Sequence, residues 1–550
     1  MNVGSNADQD SGYDSPIPSV EEDNSPEPEY IAVEDAIVRD ISFKAKSILS
    51  LRSYARAESG VGIFQTFAPV DISTCDEEAS RASKRSRLDS PHSWSQDVVR
   101  PPVPQAPLCS PTTNLAAQWI FMIGPVPPTE DPLSIFGSFM RLVPTRLGRT
   151  PALDAAVACF LSSYSAYRQQ SLERFEAARS SNAKAVRYLR VALQDGKSRP
   201  NPLDLLITTK LLSSLELMLG IESWRHVAHS KGLTSMMVTH GSNWENDAIG
   251  RSIFHSSYFD EMAEGVLDGE PSAFDNTSWF DVASPYIPTT NHVILEEAIK
   301  ACIRQVVQIP RLICLVRLLN ADPSGDVVRE DSVDLAESMY TSDIELKIAR
   351  LMQQSVEEVP TTVPDHKESV PLSFAFESVQ VYELLVRYWT ARILLCGLIQ
   401  TLCTVVTVTP PSFDLYAIQA HELEAANNIA KSMDYATTTC PSFPLIALRI
   451  LLPLQIAFGA WHRLELRALR RSCEFADITG SIKSEVDEAR RRKRWCIEMI
   501  NNIQEKWNCP LTRYDELEAK TGMFSGGALM PWMKRKIKLD GEEKWERLGA

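Results

Sequence analysis

Four helix-length segments follow one another between Thr150 and Phe280, with no strand signal among them. Thr150 and Asn201 can accept the first free amides as N-caps, and the proline after each stands where a missing N–H costs nothing. The left-handed backbone conformation that often ends a helix is easily adopted at Gly196, Gly220 and Gly241. A chain with this pattern is expected to fold into an all-α body.

The helical pattern continues to about residue 507 without a fixed repeat period, which favours a multi-helical bundle or irregular helical array over a strict solenoid. Proline-containing stretches at 323–331 and 359–371 predict loops. Pro310 is expected to kink or split its helix, and Pro453 to break an apolar helix pair. We therefore predict one all-α domain over residues 116–550.

Residues 1–115 have a different composition, acidic at first and then rich in serine and proline. Of the net charge of -15, residues 1–40 carry -10, from eleven acidic residues and Arg39. Such a segment has too few large apolar side chains to offset the entropy cost of ordering, so we predict disorder. The acidity belongs to this region and does not imply that the whole chain repels DNA.

A short basic cluster interrupts that region at Lys84, Arg85 and Arg87. Nuclear import receptors bind extended basic segments of this kind, although such short clusters also arise by chance. No secretory signal pattern follows Met1, and the scattered cysteines contain no CxxC pair, which favours reduced thiols. We expect a nuclear protein.

Several segments of the helical region resemble those of a known protein family in their order and in a small number of identical residues. They are Leu147–Val157, Leu215–Leu217, Trp224–Gly241, Ile309–Leu312, Tyr388–Leu394, Ala430–Tyr435 and Phe443–Leu445. Over residues 116–508 the chain resembles the regulatory domain of fungal transcription factors of the binuclear zinc cluster class. The resemblance implies an all-α regulatory domain that acts in dimerisation, effector response or coregulator contact.

The DNA-binding module of that family is not present in this sequence. The module holds two zinc ions with six closely spaced cysteines, whereas the first cysteines here are Cys75 and Cys109, each alone. Either a zinc cluster exon is missing from the gene model, or the protein works through partners. We expect no specific DNA binding by this chain alone, and expect transcriptional coregulators or a DNA-binding partner.

Patterns typical of catalysis and metal binding are weak. The sequence has no G-x-S-x-G elbow, P-loop or G-x-G-x-x-G after a strand. His226 and His229 lie three residues apart, but no third or fourth ligand is evident, so we expect satisfied or solvent-facing histidines. The acidic residues between Asp260 and Glu270 are interpreted as a solvated helix face. We predict no catalytic, cofactor-binding or metal-binding residues and no enzyme.

The strongest charge feature is the run Arg490, Arg491, Arg492, Lys493 and Arg494. Five consecutive cations point all around a helix, so at least two must face solvent even if the stripe of Trp495, Met499, Ile503 and Trp507 is buried. The run can contact nucleic-acid phosphates nonspecifically. Nearby acidic residues make an exposed, ion-paired helix the favoured interpretation.

One apolar stretch, Phe443 to Trp461, has the length of a membrane span but contains Arg449 and two prolines. A central arginine is costly in a bilayer, so we expect a buried helix pair and no membrane association. The leading hypothesis is a nuclear transcription regulator of the zinc cluster factor type. The alternatives are a helical small-molecule-binding protein or enzyme, and a non-transcriptional scaffold.

Overall fold

The computed structural model describes residues 110–529 except 125–131, 170, 195–200, 220–222, 241–246, 281, 283–291, 407–412, 440–444, 475–479 and 508, and also describes 535–539 and 542–546. The predicted disorder of residues 1–115 lies almost wholly outside these residues. Within them the chain is overwhelmingly helical, which confirms the predicted all-α fold class.

The first half of the helical body contains eight α-helices and two short 3-10 helices among the described residues. The 3-10 helices are Pro132–Phe136 and Ser138–Arg146. The α-helices are α1 Pro111–Ile123, α2 Pro151–Gln169, α3 Leu172–Gln194, α4 Pro202–Met218, α5 Ser223–His240, α6 Ala248–Asp268, α7 Thr277–Phe280 and α8 His292–Ala321. The two predicted N-caps form, since Thr150 Oγ1 accepts from the Leu153 amide at 3.2 Å and Asn201 Oδ1 from the Leu203 amide at 2.9 Å. The glycines predicted to close helices, Gly196, Gly220 and Gly241, lie outside the described residues.

The second half adds further helices and two hairpins. The helices are α9 Asp326–Tyr340, α10 Ile344–Ser355, α11 Pro364–Lys367, α12 Val379–Val405, α13 Leu415–Lys431, α14 Met433–Thr438, α15 Leu445–Arg449, α16 Leu451–Glu474, α17 Gly480–Lys506 and α18 Tyr514–Phe524. The strands are β1 Val356–Pro360, β2 Leu372–Phe376, β3 Arg535–Leu539 and β4 Glu542–Glu546. β1 pairs antiparallel with β2, and β3 with β4.

One continuous core runs through the helical body, and α12 lies at its centre. Nearly every residue of α12 from Val379 to Ile399 is buried. α12 packs against α8, α13 and α16, while α2 pairs with α3, α4 with α5, and α16 with α17. A helix that is covered on all sides must be apolar almost all round, which is the pattern of this segment.

Two predicted helix interruptions differ from the structure. α8 continues through Pro310 without a break, because the turns on both sides bury Val306 and Leu312 in the core, and this burial outweighs the lost hydrogen bond. The break expected at Pro453 falls instead at Ile450, so that Pro453 lies in the first turn of α16, where proline is tolerated.

Two predicted loops are also partly wrong. The stretch 323–331 is a loop only as far as Gly325, since α9 starts at Asp326. The stretch 359–371 lies inside a hairpin, with Val356 opposite Phe376 and Pro360 opposite Leu372. Phe374 and Phe376 bury their rings on the helical core, and this alternation of buried aromatics is a strand signal that the prolines masked.

Candidate functional site

The basic run lies in α17, where its five side chains divide between solvent and protein. Arg490, Arg491 and Arg494 are exposed, whereas Lys493 is only 1% exposed. The apolar stripe of Trp495, Met499, Ile503 and Trp507 is buried. The geometry therefore keeps at most three of the five cations available to an external partner.

Most of the run is also ion-paired, as the favoured interpretation expected. Lys493 Nζ lies 2.8 Å from Glu465 Oε2 and 3.0 Å from Glu518 Oε1. Arg490 pairs with Glu465 at 2.6 Å, while Arg491 and Arg492 both pair with Glu488. Lys493 is thus a structural cation that joins α16, α17 and α18.

The other candidate residues from the sequence give little support for a functional site. Lys84, Arg85 and Arg87 lie outside the described residues, as does the side chain of His226. His229 Nδ1 lies 2.8 Å from Glu216 Oε2, so this histidine is satisfied by a neighbouring carboxylate, as expected. The described part of the chain holds no group of three or more His, Cys, Asp or Glu side chains arranged for a metal ion.

The interpretation of the acids in 260–270 as a solvated face is wrong for Asp260, Glu261 and Glu264, whereas Glu270 is exposed. Glu261 and Glu264 are only 7% and 6% exposed, because α6 packs against α4, α5 and α8 and leaves little of its surface in water. Glu261 accepts hydrogen bonds from Ser272 and from the Ala273 amide. Burial raises the pKa of the Glu264 carboxyl well above its usual range.

Asp260 belongs to a buried set of ion pairs that connects distant parts of the chain. Lys210 Nζ donates to the Ser256 carbonyl oxygen at 2.8 Å and to Asp260 Oδ2 at 3.1 Å. Arg449 Nη1 donates to the other oxygen, Asp260 Oδ1, at 2.5 Å. One carboxylate of α6 therefore holds a lysine of α4 and an arginine of α15.

A second ion pair, between Glu383 and Arg387 of α12, adjoins the first. Arg387 donates from Nη1 to the His255 carbonyl oxygen at 2.9 Å, and its guanidinium stands 4.8 Å from the Tyr258 ring centre. We call Lys210, Asp260, Glu383, Arg387 and Arg449 the charge cluster. It contains three cations and two carboxylates, an excess of one positive charge when all five are ionised.

Burial perturbs the ionisation of this charge cluster. Desolvation lowers the pKa of Lys210 from 10.5 to about 8, although the Asp260 carboxylate opposes the change. Desolvation likewise raises the pKa of Glu383, against the influence of Arg387. A lysine amine of lowered pKa can act as a nucleophile, but Lys210 is 1% exposed, so no substrate reaches its nitrogen in this conformation.

A small polar cavity of about 50 Å³ adjoins the charge cluster. Arg387, Glu383 and Gln380 line it from α12, and Ser134, Ser138, Ser252 and Ser256 line it with hydroxyl groups. A space of this size suits one or two water molecules, which can satisfy buried hydroxyls such as that of Ser134. The charge cluster is therefore a structural centre that joins α4, α6, α12 and α15.

One described helix, α12, is long and apolar enough to cross a membrane by length and composition. Most of that helix is buried inside the helical body, and the central helix of a folded core passes the same test. The two arginines of α12, Arg387 and Arg392, are buried and paired with glutamates. The described part of the apolar stretch at 443–461 forms α15 and the start of α16, which supports the predicted buried helix pair.

Comparisons of the chain with protein-family models, with curated proteins and with solved structures find no match.

Proposed function

We propose that this protein is a nuclear transcription regulator of the fungal zinc cluster factor type, which acts through its helical body and its partners. One observation supports the proposal best. The segments that carry the resemblance contribute Val157, Leu215, Leu312, Trp389 and Met433 to a single hydrophobic core. Sparse identities spread over several hundred residues support the resemblance better when the residues belong to one folded unit.

In this proposal a partner, and not this chain, binds DNA in a sequence-specific way. The sequence has no six-cysteine cluster, and most of the basic run in α17 is engaged with Glu465, Glu488 and Glu518. The partners proposed are transcriptional coregulators or a DNA-binding protein, and the chain is also proposed to form a homodimer or heterodimer. The proposal assigns no catalytic role to any residue.

A tethering assay tests the regulatory role. The full chain is fused to a heterologous DNA-binding domain and expressed with a reporter gene that carries the matching sites. We expect reporter expression to change by about fivefold or more, in either direction, relative to the DNA-binding domain alone. A matched control carries Leu385→Asp in the buried centre of α12, which should unfold the body and abolish the change.

The location of the protein is a separate test. In a tagged full chain, replacement of Lys84, Arg85 and Arg87 by alanine should shift the protein toward the cytoplasm. The same triple change at exposed Arg187, Arg190 and Arg350 is the control and should have no effect. A reporter that does not respond, together with a cytoplasmic wild-type protein, would overturn the proposed function in favour of a scaffold.

A helical small-molecule-binding protein is the second candidate. A cavity between α10, α12 and α13 favours it, because a buried arginine there borders open space beside apolar side chains. The two candidates are compatible, since a regulator can also bind a small molecule. A ligand that co-purifies with a protein inactive in the tethering assay would favour this second candidate alone.

A further inference from the structure

The cavity between α10, α12 and α13 has a volume of about 110 Å³ and lies outside the charge cluster. Ile348, Met352 and Trp389 give it an apolar lining, and Arg392 and His421 add polar groups. Small-molecule sites commonly combine an apolar lining with a few convergent polar groups. The volume is of the order of the ~150 Å³ cavity that accommodates a benzene ring in a protein core.

Arg392 is the group that points to a ligand. The residue is 3% exposed, and its Nη2 lies 2.9 Å from Glu345 Oε1 and 3.0 Å from His421 Nδ1. Its Nε and Nη1 are buried and have no hydrogen-bond acceptor among the described residues. Buried donors of a charged group are rarely left without an acceptor in a native protein, so an additional acceptor is expected at this position.

The two unsatisfied donors belong to a guanidinium cation, which favours an anion as that acceptor. Glu424 is exposed, and Glu345 is 45% exposed through its side chain although its Oε1 is buried against Arg392 Nη2. His421 Nδ1 faces two donors, the Tyr340 hydroxyl at 3.1 Å and the Arg392 guanidinium, and must therefore accept at that atom. Glu345 and His421 thus engage only Nη2 of Arg392, and its Nε and Nη1 are left for a further acceptor.

We propose that this cavity binds a small organic acid, whose carboxylate accepts hydrogen bonds from Arg392 and whose apolar part packs against Trp389, Ile348 and Met352. Arginine suits this role because its planar fork matches a carboxylate and stays charged. The proposal goes beyond the transcriptional role and does not depend on it. The tethering assay and the binding assay can therefore fail separately.

Calorimetric titration of the full chain with benzoate and phenylacetate, and with benzamide and phenylacetamide, tests the proposal. The acids and amides have nearly the same shape but differ in charge. We expect an acid to bind with saturation and at least about tenfold more tightly than its amide. If neither acid binds, or if the amides bind as well as the acids, the proposal is overturned.

Variants locate the site. Arg392→Gln should weaken acid binding about tenfold or more, whereas Arg350→Gln, exposed on the same α10 that borders the cavity, should leave binding unchanged. Because loss of a buried arginine can disturb folding, Ala349→Leu provides a second variant. Ala349 is exposed and lines the cavity, so a larger side chain there narrows the entrance without burying anything new. Unchanged acid binding in both folded variants would contradict the site.

Discussion

Asp260 is the residue on which the charge cluster depends most, because its two carboxylate oxygens hold Lys210 and Arg449. Asp260→Asn leaves two largely buried cations without their counter-ion. We expect the free energy of unfolding to fall by about 3 to 5 kcal/mol, the usual cost of breaking a buried pair from one side. Denaturant titration followed by circular dichroism measures the change.

A matched control for Asp260→Asn is Asp326→Asn. Asp326 also pairs with an arginine, Arg329, at 2.6 Å, but its side chain is 86% exposed. Exposed pairs contribute about 0 to 1 kcal/mol, so this variant should unfold almost like the wild type. Equal losses in the two variants would show that burial does not set the cost of removing the charge.

The lowered pKa of Lys210 leads to a second prediction, about how the stability of the protein depends on pH. Its folded pKa of about 8 lies below the 10.5 of an unperturbed lysine, so between these values the unfolded chain binds more protons than the folded one. Stability due to this group therefore rises as the pH increases from about 8 to about 10.5, by up to about 1.4 kcal/mol per unit.

The measurement compares the free energy of unfolding of the wild type with that of Lys210→Met across this pH range. Subtraction removes the cysteines and tyrosines that titrate in the same window. We expect the difference, wild type minus variant, to increase toward alkaline pH. A difference that stays flat or falls would mean that the lysine is not desolvated in the folded protein.

The sequence could not reveal these roles, for a physical reason. On a helix, Asp260 and Glu264 look like a polar face, and polar faces normally lie in water. Their partners in space are far away in sequence, since Lys210 is 50 and Arg449 is 189 residues distant from Asp260. Helical periodicity carries information about neighbours three or four residues apart, and none about which helix covers that face.

At the scale of elements, Gly265 in α6 provides the space in which Pro310 of α8 packs against α6. A Cβ atom at Gly265 would lie 3.0 Å from Pro310 Cβ and 2.9 Å from the Glu270 carbonyl oxygen. The two helices therefore approach closely at this glycine. We expect Gly265→Ala to destabilise the protein by about 1 to 3 kcal/mol through overpacking, despite the better helix propensity of alanine.

Gly232 in α5 is the matched control for Gly265→Ala. It is also helical, but a Cβ atom there would meet nothing within 4 Å. Gly232→Ala should stabilise the protein by about 0.5 to 1 kcal/mol, because alanine loses less backbone entropy on folding. Thermal unfolding of the two variants should shift in opposite directions, and a shift in the same direction would refute the close approach of α6 and α8.

The helices were predictable where start signals and apolar periodicity agreed, as at Thr150 and Asn201. They were less so where a proline suggested a break, because tertiary packing decided the outcome at Pro310 and at Pro453. The hairpin of β1 and β2 was missed for a related reason. Its strands are short, and their stability comes from aromatic contacts such as that of Phe376 with Tyr435, which lie beyond local sequence.

At the scale of the whole molecule, the sequence predicted the fold class correctly because a nearly continuous helical pattern leaves no alternative architecture. The charge pattern was less informative. A run of five cations suggests a binding surface, yet Lys493 is buried between α16 and α18, and Arg492 is half-buried and paired with Glu488. The part of the run that can meet a nucleic acid consists of Arg490, Arg491 and Arg494.

The three exposed arginines of the basic run limit how strongly nonspecific DNA binding can depend on salt. Each phosphate contact contributes about 0.9 to the slope of log affinity against log salt, so three arginines contribute at most about 2.7. Replacing Arg490, Arg491 and Arg494 by alanine should lower the slope of nonspecific DNA binding by up to that amount, while the control triple variant at Arg187, Arg190 and Arg350 should not. Fluorescence anisotropy of the full chain with a candidate promoter and a scrambled duplex gives the slopes. An unchanged slope in the first variant would exclude the basic run as a contact surface, and a preference above about a hundredfold for one duplex at physiological salt would show that the chain reads bases itself.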